Sequence, residues 1–454
     1  MNLAVAELDS GHQRHQGELL RILGVTFGIA VTIGGMIGVG ILRTPGTVAA
    51  QLGNFWGILA VWLVGGIYSL CGAVCVAELA TSLPRAGGWY VYARRAFGDS
   101  VGFTVGWCDW LGGAVTLAFS ITTIGEYAAK LAPNVFVSTQ LSGIALVLPL
   151  FLLNLAGLRS GSRFQEATSF LKAIAFLILV LAIFRFGGVP QSDAAAVPGG
   201  PISIGALLAT VMLALQPVIY AYDGWYNAIY CAEENRDPAR NIPRGMIGGV
   251  VAVTAVYLLV NLAFLHALPV AQLASSSLPA ADAARAAFGG RTDELVTILA
   301  LLSLPNLISV GMLVSPRVLF AMSRDGLLPR SLARVNRGGT PSVALTVHML
   351  AAAFFVITGT YGRLLAIATF LFVLVYGSGF LALVTLRKTE PSLVRPHKVW
   401  AYPWIPLVVL TGSFVFLAGA FVSDMANGVY AVALILGSVP LYLMITKWRR
   451  RAIS

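Results

Sequence analysis

The stretch GVTFGIAVTIGGMIGVGIL, at residues 24–42, is apolar enough to enter a bilayer, yet glycine interrupts it. Within seven residues near its middle stand Gly34, Gly35, Gly38 and Gly40. Each Gly costs a helix interior about 1 kcal/mol relative to Ala, so a helix unwinds there at little cost. Membrane glycines ordinarily permit close helix packing. The alternative is a broken helix at Ile37–Gly40, since non-helical backbone at membrane depth must face protein or a polar cavity.

A second apolar stretch, LLATVMLALQPVIYAYDGWYNAIYCAEE at 207–234, has a corresponding interruption. Pro217 removes one backbone donor, and Asp223 with Gly224 follows near the middle of the stretch. A charged Asp at the centre of a spanning helix costs about 2.5–3.5 kcal/mol on insertion scales. Two interpretations stay open: a protonated or Tyr-bonded Asp that merely caps one half-helix, or a broken helix that lines a substrate cavity.

The rest of the chain is equally apolar. Of 454 residues, 57% are hydrophobic and 11% charged, where soluble proteins carry roughly 25% charged residues. This composition excludes a soluble enzyme, a disordered chain and a fibrous protein, and it predicts an all-α polytopic membrane protein. We expect about twelve spanning helices, each needing about 20 apolar residues. The apolar runs lie near 22–42, 55–80, 101–127, 139–157, 165–187, 205–231, 243–267, 294–322, 341–359, 363–386, 404–423 and 428–446.

The basic residues predict the orientation of these helices. With an even number of spans and a cytosolic N-terminus, inward connections hold 23 of the 30 Lys and Arg residues and outward connections hold six. Cytosolic loops carry the excess of Lys and Arg, so both tails, residues 1–20 and 448–454, are expected in the cytosol. The net charge of +11 then reflects topology and does not indicate nucleic acid as a partner.

The two interruptions fall in the first and sixth apolar runs. If residues 21–190 and 200–390 are inverted repeats of five helices each, followed by two helices at 400–447, the breaks occupy equivalent positions. Such paired breaks indicate a secondary transporter with its site at the membrane midplane. The N-terminus of a half-helix attracts an anionic group, and opposed C-terminal carbonyls accept from an ammonium. One site can therefore bind a zwitterionic α-amino acid through backbone groups alone.

Lys172, in FLKAIAFLILV, is the third unusual residue. It could extend along the helix to the cytosolic surface, or it could turn inward, where its amine would release and rebind a proton or replace a sodium ion. Three further acids are expected to have gating or packing roles: Glu78 and Glu126 at run ends, and Asp109, which is expected to pair with a cytosolic-side Arg.

Five segments carry a family resemblance: GGMIGVGIL at 34–42, AELATSLPRAGGWYVY at 77–92, AYDGWYNAIYCAEENRDPARNIPRG at 221–245, SRDGLLPRSLARVN at 323–336 and LRKTEPSLVRPHKVWAYPWIP at 386–406. They cover most of the chain in the order that the family has them. The sequence resembles the amino acid–polyamine–organocation superfamily, and within it the bacterial relatives of the L-type amino acid transporter light subunits.

The resemblance implies twelve helices in a five-plus-five inverted repeat that works by alternating access. It also implies roles for individual residues. A backbone cradle for the substrate carboxylate falls on Gly38, Val39 and Gly40, next to Ile37. An aromatic cover falls on Tyr220, and an unwound segment of the sixth helix falls on Ala221, Tyr222, Asp223 and Gly224. Lys172 matches the lysine that stands where sodium-coupled relatives hold sodium, and with Tyr220 it is expected to serve coupling and gating.

Three departures from the family pattern bear on these expectations. Val39 stands where a Ser is common, so one hydroxyl is missing from the cradle. Asp223 stands where many light subunits have a small neutral residue, whereas subunits for cationic amino acids and cystine can show AYDGW. The segment AAKLAPNVFVST at 128–139 has no Cys, so no disulfide-linked heavy subunit is expected.

The expected function is transport of L-amino acids across a bacterial plasma membrane, by sodium-independent exchange or with protons. A polyamine or amine antiporter of the same fold is the alternative, although one central acid is few for a dication. A transporter-like sensor or a channel is a further alternative, but a channel needs a continuous polar path. No enzyme, cofactor or metal is expected, because the five histidines are scattered without HExxH spacing.

Overall fold

The computed structural model describes residues 19–38, 40–136, 138–188, 204–276, 278–289, 292–359, 361–423 and 425–453. Within these ranges the regular structure is helical, apart from one isolated bridge between Leu23 and Asn235. The expected all-α fold is therefore confirmed.

Eighteen α-helices and two short 3₁₀ helices make up the described part of the chain. The α-helices are α1 Val25–Met36, α2 Gly40–Leu52, α3 Phe55–Ser82, α4 Trp89–Phe97, α5 Asp99–Leu131, α6 Thr139–Ala156, α7 Leu158–Phe186, α8 Ile204–Ala221, α9 Pro238–Ala267, α10 Val270–Ser275, α11 Pro279–Phe288, α12 Thr292–Val314, α13 Pro316–Arg324, α14 Ser342–Thr358, α15 Tyr361–Thr389, α16 Trp404–Ser423, α17 Met425–Leu436 and α18 Ser438–Ile453. The 3₁₀ helices are Asn227–Glu234 and Arg330–Ala333.

Both expected breaks are present. Helix α1 ends at Met36, Ile37 adopts an extended conformation, and α2 continues from Gly40 after a bend of 50°. Helix α8 ends at Ala221 and the chain turns before the 3₁₀ helix begins at Asn227. The glycine-rich first run and the Asp-Gly of the sixth run thus each interrupt a helix, as the sequence predicts.

Seven helices or helix pairs in the described residues are long and apolar enough to cross a membrane. The bent α1–α2 pair would make an eighth span, and shorter apolar helices occur at Thr210–Ala221, Ser342–Thr358 and Trp404–Gly419. The expected count of twelve spans stays a prediction.

Two segments are more helical than the sequence analysis expects. Helix α4 forms within a connection between the second and third apolar runs, and α18 continues to Ile453, past the expected start of a tail at 448. The alanine-rich stretch PAADAARAAF forms α11. The N-terminal tail up to residue 18 and the connection 189–203 lie outside the described residues.

The four cysteines are free thiols. Cys75, Cys108 and Cys231 are buried, and Cys71 is half-buried. They pack as small apolar side chains.

A group of ion pairs joins α3, α4, α13 and α15 to the 3₁₀ helix Asn227–Glu234 and neighbouring loops. All the arginines of this group belong to the segments expected in the cytosol, so the group marks one end of the helices. Glu78, expected to have a gating or packing role, is held here by two arginines. The pairs are Arg85–Asp325, Arg94–Asp325, Arg95–Glu390, Arg324–Glu233, Arg387–Glu78, Arg395–Glu78 and Arg317–Glu234.

The pair between Arg317 and Glu234 is the most deeply buried of the group, with side chains 2% and 0% exposed. Arg317 donates from Nε and Nη2 to the two carboxylate oxygens of Glu234, at 2.5 and 2.7 Å. Beside this pair, the backbone N–H of Leu23 donates to the carbonyl of Glu234 at 3.0 Å. The segment that leads into α1 is therefore fastened to the end of the 3₁₀ helix, where the bundle is closed.

We predict that Glu234→Ala destabilises the protein by about 3–5 kcal/mol, because it leaves the Arg317 charge buried without a partner. The double variant Glu234→Leu/Arg317→Met should recover most of that loss, since both charges are then absent. The measurement is the thermal unfolding midpoint in detergent, followed by tryptophan fluorescence. Arg95→Gln, which breaks a more exposed pair, is the control and should cost at most about 1 kcal/mol. A shift for Glu234→Ala no larger than that of the control would contradict the prediction.

Candidate functional site

The two helix breaks lie against each other. Gly224 has a φ of +102°, and a Cβ at this position would stand 2.8 Å from the carbonyl carbon of Gly35. A Cβ on Gly40 would lie 3.5 Å from the Cα of Ala221. The absence of a side chain at Gly224 therefore lets the two interrupted backbones approach directly, whereas a Cβ on Gly40 would make only an ordinary contact.

Tyr257 on α9 joins the two breaks. Its hydroxyl lies 2.6 Å from the carbonyl oxygen of Met36 and 2.8 Å from that of Ala221. These residues end α1 and α8, and carbonyls at helix ends have no partner within the helix. The hydroxyl has one proton, so it donates to one of the two oxygens at a time. Sequence reasoning missed Tyr257, whose only signal is a hydroxyl within an apolar run.

Lys172 on α7 turns inward and is 2% exposed. Its Nζ donates to the carbonyl of Gly34 at 3.1 Å, to the carbonyl of Ile37 at 2.5 Å and to Oδ1 of Asn306 at 2.8 Å. The three donors of the ammonium are thus all in use. The side chain does not extend to a membrane surface, which removes the first of its two interpretations; its role in coupling stays a prediction.

Asn306 on α12 connects Lys172 to a wider polar network. Its Nδ2 donates to Oγ1 of Thr168 at 2.7 Å and to Oγ of Ser169 at 3.0 Å. Ser169 in turn donates to the carbonyl of Ala30 in α1 at 2.7 Å. Helices α1, α7 and α12 are therefore tied together behind the first break. Asn306 was also missed, although an amide beside Pro305 in an apolar run is a visible signal.

A polar cavity of about 60 Å³ opens beside the breaks. Gly35 of α1 and Gly224 after α8 contribute to its wall. Its polar side chains come from α5, the segment after α8 and the junction of α12 with α13. The complete lining is Gly35, Asp109, Gly113, Thr116, Leu117, Ser120, Asp223, Gly224, Tyr226, Asn227, Tyr230, Leu307, Val310, Gly311, Val314, Ser315 and Phe372.

Of the residues expected to bind substrate, Asp223 and Gly224 line this cavity. The other described ones lie at the two breaks, and three of their carbonyls already accept hydrogen bonds: that of Ile37 from Lys172, that of Tyr220 from the Asp223 N–H at 3.0 Å, and that of Ala221 from Tyr257. Tyr220 is half-buried, whereas Ile37, Gly38, Ala221 and Tyr222 are buried. Gly40 begins α2, and Val39 lies outside the described residues.

The carboxylate of Asp223 is held by tyrosines. Tyr376 on α15 donates to Oδ1, and Tyr226 donates to Oδ2 at 3.5 Å. The two hydroxyls lie 3.0 Å apart, and the Trp89 ring packs at 5.4 Å from Tyr376 and 5.5 Å from Tyr226. Asp223 therefore accepts hydrogen bonds from tyrosines, as the first interpretation of the sequence predicts. It also lines a cavity, as the second interpretation predicts.

The expected pairing of Asp109 with an arginine is wrong. It does not pair with an arginine: its Oδ1 accepts a hydrogen bond from the hydroxyl of Tyr230 at 2.6 Å, and the side chain is 3% exposed. Asp109 lies ten residues beyond the start of α5 at Asp99, about 15 Å along the helix. The arginines of the ion-pair group stand at the ends of the helices, so the carboxylate instead faces the cavity.

The described residues contain no group of three or more His, Cys, Asp or Glu placed to hold a metal ion. The chemistry available at the breaks is therefore that of backbone groups, one ammonium, two carboxylates and several hydroxyls. Such a set can bind and orient a small polar molecule.

Comparison with known proteins agrees with this architecture. The serine/threonine exchanger SteT of Bacillus subtilis (strain 168) is 29% identical over 93% of this chain and 96% of its own. The b(0,+)-type amino acid transporter 1 of Mus musculus is 27% identical over 95% of this chain and 89% of its own. The Asc-type amino acid transporter 1 of Homo sapiens is 31% identical over 95% and 84%. These relatives are transporters and not enzymes. Because the amino acid permease family model also matches residues 24–446, the chain belongs to the amino acid permease family, within the superfamily that its motifs resemble.

Proposed function

We propose that this protein is a secondary active transporter that moves L-amino acids across a membrane by alternating access. The observation that carries the proposal is the direct contact of two broken helices beside a polar cavity. Broken helices that meet near the middle of a bundle are the usual site of secondary transporters. The names of the relatives, which are amino acid transporters and an exchanger, point to the same class of substrate.

The breaks offer complementary groups to a zwitterion. The start of α2, at Gly40 after Ile37 and Gly38, presents a helix N-terminus that favours the substrate carboxylate. The end of α8 at Tyr220–Tyr222 presents carbonyl oxygens to the ammonium. Tyr220 closes over the ligand. The cradle acts through backbone groups, because Val39 brings no hydroxyl.

The orientation is part of the proposal. Residues 21–190 and 200–390 form inverted repeats around the site, and both termini lie on the cytosolic side of a bacterial inner membrane. The ion-pair group then closes the cytosolic end of the site. A substrate would enter from the opposite side, and these pairs must separate before it leaves.

Lys172 couples the site to the rest of the bundle. Its ammonium contacts Ile37 and Gly34 at the first break and Asn306 on α12. A fixed positive charge there occupies a position that a sodium ion would need. Transport is therefore sodium-independent, by exchange or together with protons.

A polyamine antiporter is the second candidate, and one observation favours it. The sequence suggested a single central acid, but Asp109 and Asp223 both line the cavity. Two acids suit a dication better than one, whereas the carboxylate cradle would then have no ligand.

Proteoliposomes test these proposals. We expect uptake of labelled L-amino acids to require an internal amino acid if the protein exchanges, or to follow an imposed pH gradient if it is a symporter. Replacing sodium by choline should leave uptake unchanged. Uptake of putrescine without uptake of any amino acid would contradict the proposed function and support the second candidate.

We predict that Lys172→Ala lowers amino acid uptake at least about tenfold, because the first break loses hydrogen bonds to a charged group. Substrate binding, measured by calorimetry in detergent, should be partly retained. The matched control is Arg163→Ala, which removes a positive charge from the same helix at an expected surface position. Uptake at the wild-type level by Lys172→Ala would contradict the prediction and show that this residue has no role in transport.

We predict that Asp223→Asn weakens uptake of lysine and arginine more than uptake of alanine and leucine, since only the cationic substrates use its charge. The amide keeps an acceptor for Tyr376. The measurement is the KM for each substrate in proteoliposomes. An equal loss for all four would show that Asp223 orients the backbone and does not contact a cationic side chain.

A further inference from the structure

One buried carboxylate oxygen has no use in the site described above. Oδ1 of Asp109 accepts from Tyr230, whereas Oδ2 is buried and has no hydrogen-bond partner among the described residues. Buried polar atoms are nearly always paired, and an acid inside a membrane protein generally marks a functional pathway. Asp109 is one of the residues that line the cavity beside the helix breaks.

The cavity wall holds two acids and no basic partner for them. Asp109 and Asp223 both contribute to the wall, and its described lining includes no Lys, Arg or His. Lys172 donates instead to the carbonyls of Gly34 and Ile37 and to Asn306. A ligand with a positive group beyond those of a zwitterion suits such a wall better than a neutral amino acid does.

The two acids differ in what they can offer. Both oxygens of Asp223 accept from tyrosine hydroxyls, whereas Asp109 has one oxygen uncommitted. The acids are connected through Tyr226 and Tyr230, whose ring centroids lie 6.1 Å apart. Asp223 belongs to the break itself, while Asp109 comes from α5, on a wall formed by another helix. A ligand with its α-groups at the breaks would therefore direct its side chain toward Asp109.

We propose that Asp109 is a second anionic subsite, which binds the side-chain ammonium or guanidinium of a dibasic L-amino acid whose α-groups occupy the helix breaks. This assignment rests on the proposed function and names its substrate class. Asp223 adds its negative charge to the attraction for the cationic side chain, and Oδ2 of Asp109 accepts directly from the distal cation.

Asp109→Asn tests the assignment. The variant keeps an oxygen that can accept from Tyr230 and removes only the charge. We expect the KM for lysine and arginine to rise at least about tenfold, because a hydrogen bond to a charged group is replaced by a neutral contact. The KM for alanine and serine should change by less than about twofold, since charge at Asp109 is not used by neutral side chains.

Asp99→Asn is the matched control, because it makes the same change at the start of the same helix, at an exposed position. It should leave the KM of every substrate unchanged. Equal effects of Asp109→Asn on lysine and alanine would overturn the assignment and give Asp109 a structural role.

The failures of the two proposals are distinguishable. If wild-type protein transports no member of the panel, the proposed function is wrong. If it transports alanine and serine but lysine and arginine neither enter nor compete, amino acid transport stands and the assignment of Asp109 is overturned. Cadaverine, which is lysine without its carboxylate, should compete far less well than lysine; competition as strong as that of lysine would contradict the placement of the α-groups at the breaks.

Discussion

The contact between the Lys172 ammonium and the carbonyls of the first break is the interaction on which the site depends. A backbone interrupted inside a bilayer has polar groups that lipid cannot satisfy, so a broken helix needs donors from elsewhere in the protein. Lys172 supplies them to Gly34 and Ile37, and Asn306 holds the lysine from the opposite side. The position of α1 relative to α7 and α12 follows from this requirement. The cavity then opens on the other side of the break, away from the lysine.

The acidic side chains described above fall into two groups, one at the ion-paired end of the helices and one in the interior. Seven arginines pair with acids at one end of the bundle, while Asp109 and Asp223 in the interior accept hydrogen bonds from tyrosines and line the cavity. The acids at this end are bound to arginines. The two interior acids accept from tyrosine hydroxyls, and the described lining of their cavity includes no basic residue. The two groups of acids therefore serve different purposes, although both are sparse in so apolar a chain.

The sequence predicts those features whose cause is local. The density of glycines in the first apolar run and the Asp223-Gly224 pair in the sixth predict the two breaks, because each break follows from the backbone preferences of neighbouring residues. Tyr257 and Asn306 were not assigned because their partners come from other helices; the amide beside Pro305 shows that Asn306 is unusual, but it does not show which residues it binds. Asp109 was misjudged for a related reason. The sequence analysis expected it to pair with an arginine on the cytosolic side, whereas its partner is Tyr230, 121 positions further along the chain. The number of spans is likewise a property of the whole bundle and stays a prediction.

The single proton of the Tyr257 hydroxyl has a consequence for the junction of the two helix breaks. Two helix-end carbonyls compete for one donor, so one of them is always short of a partner. A ligand ammonium brings three donors and would relieve that shortage at the moment of binding. If a substrate ammonium binds here, as proposed, the two half-helices are held together more firmly with substrate bound than without it.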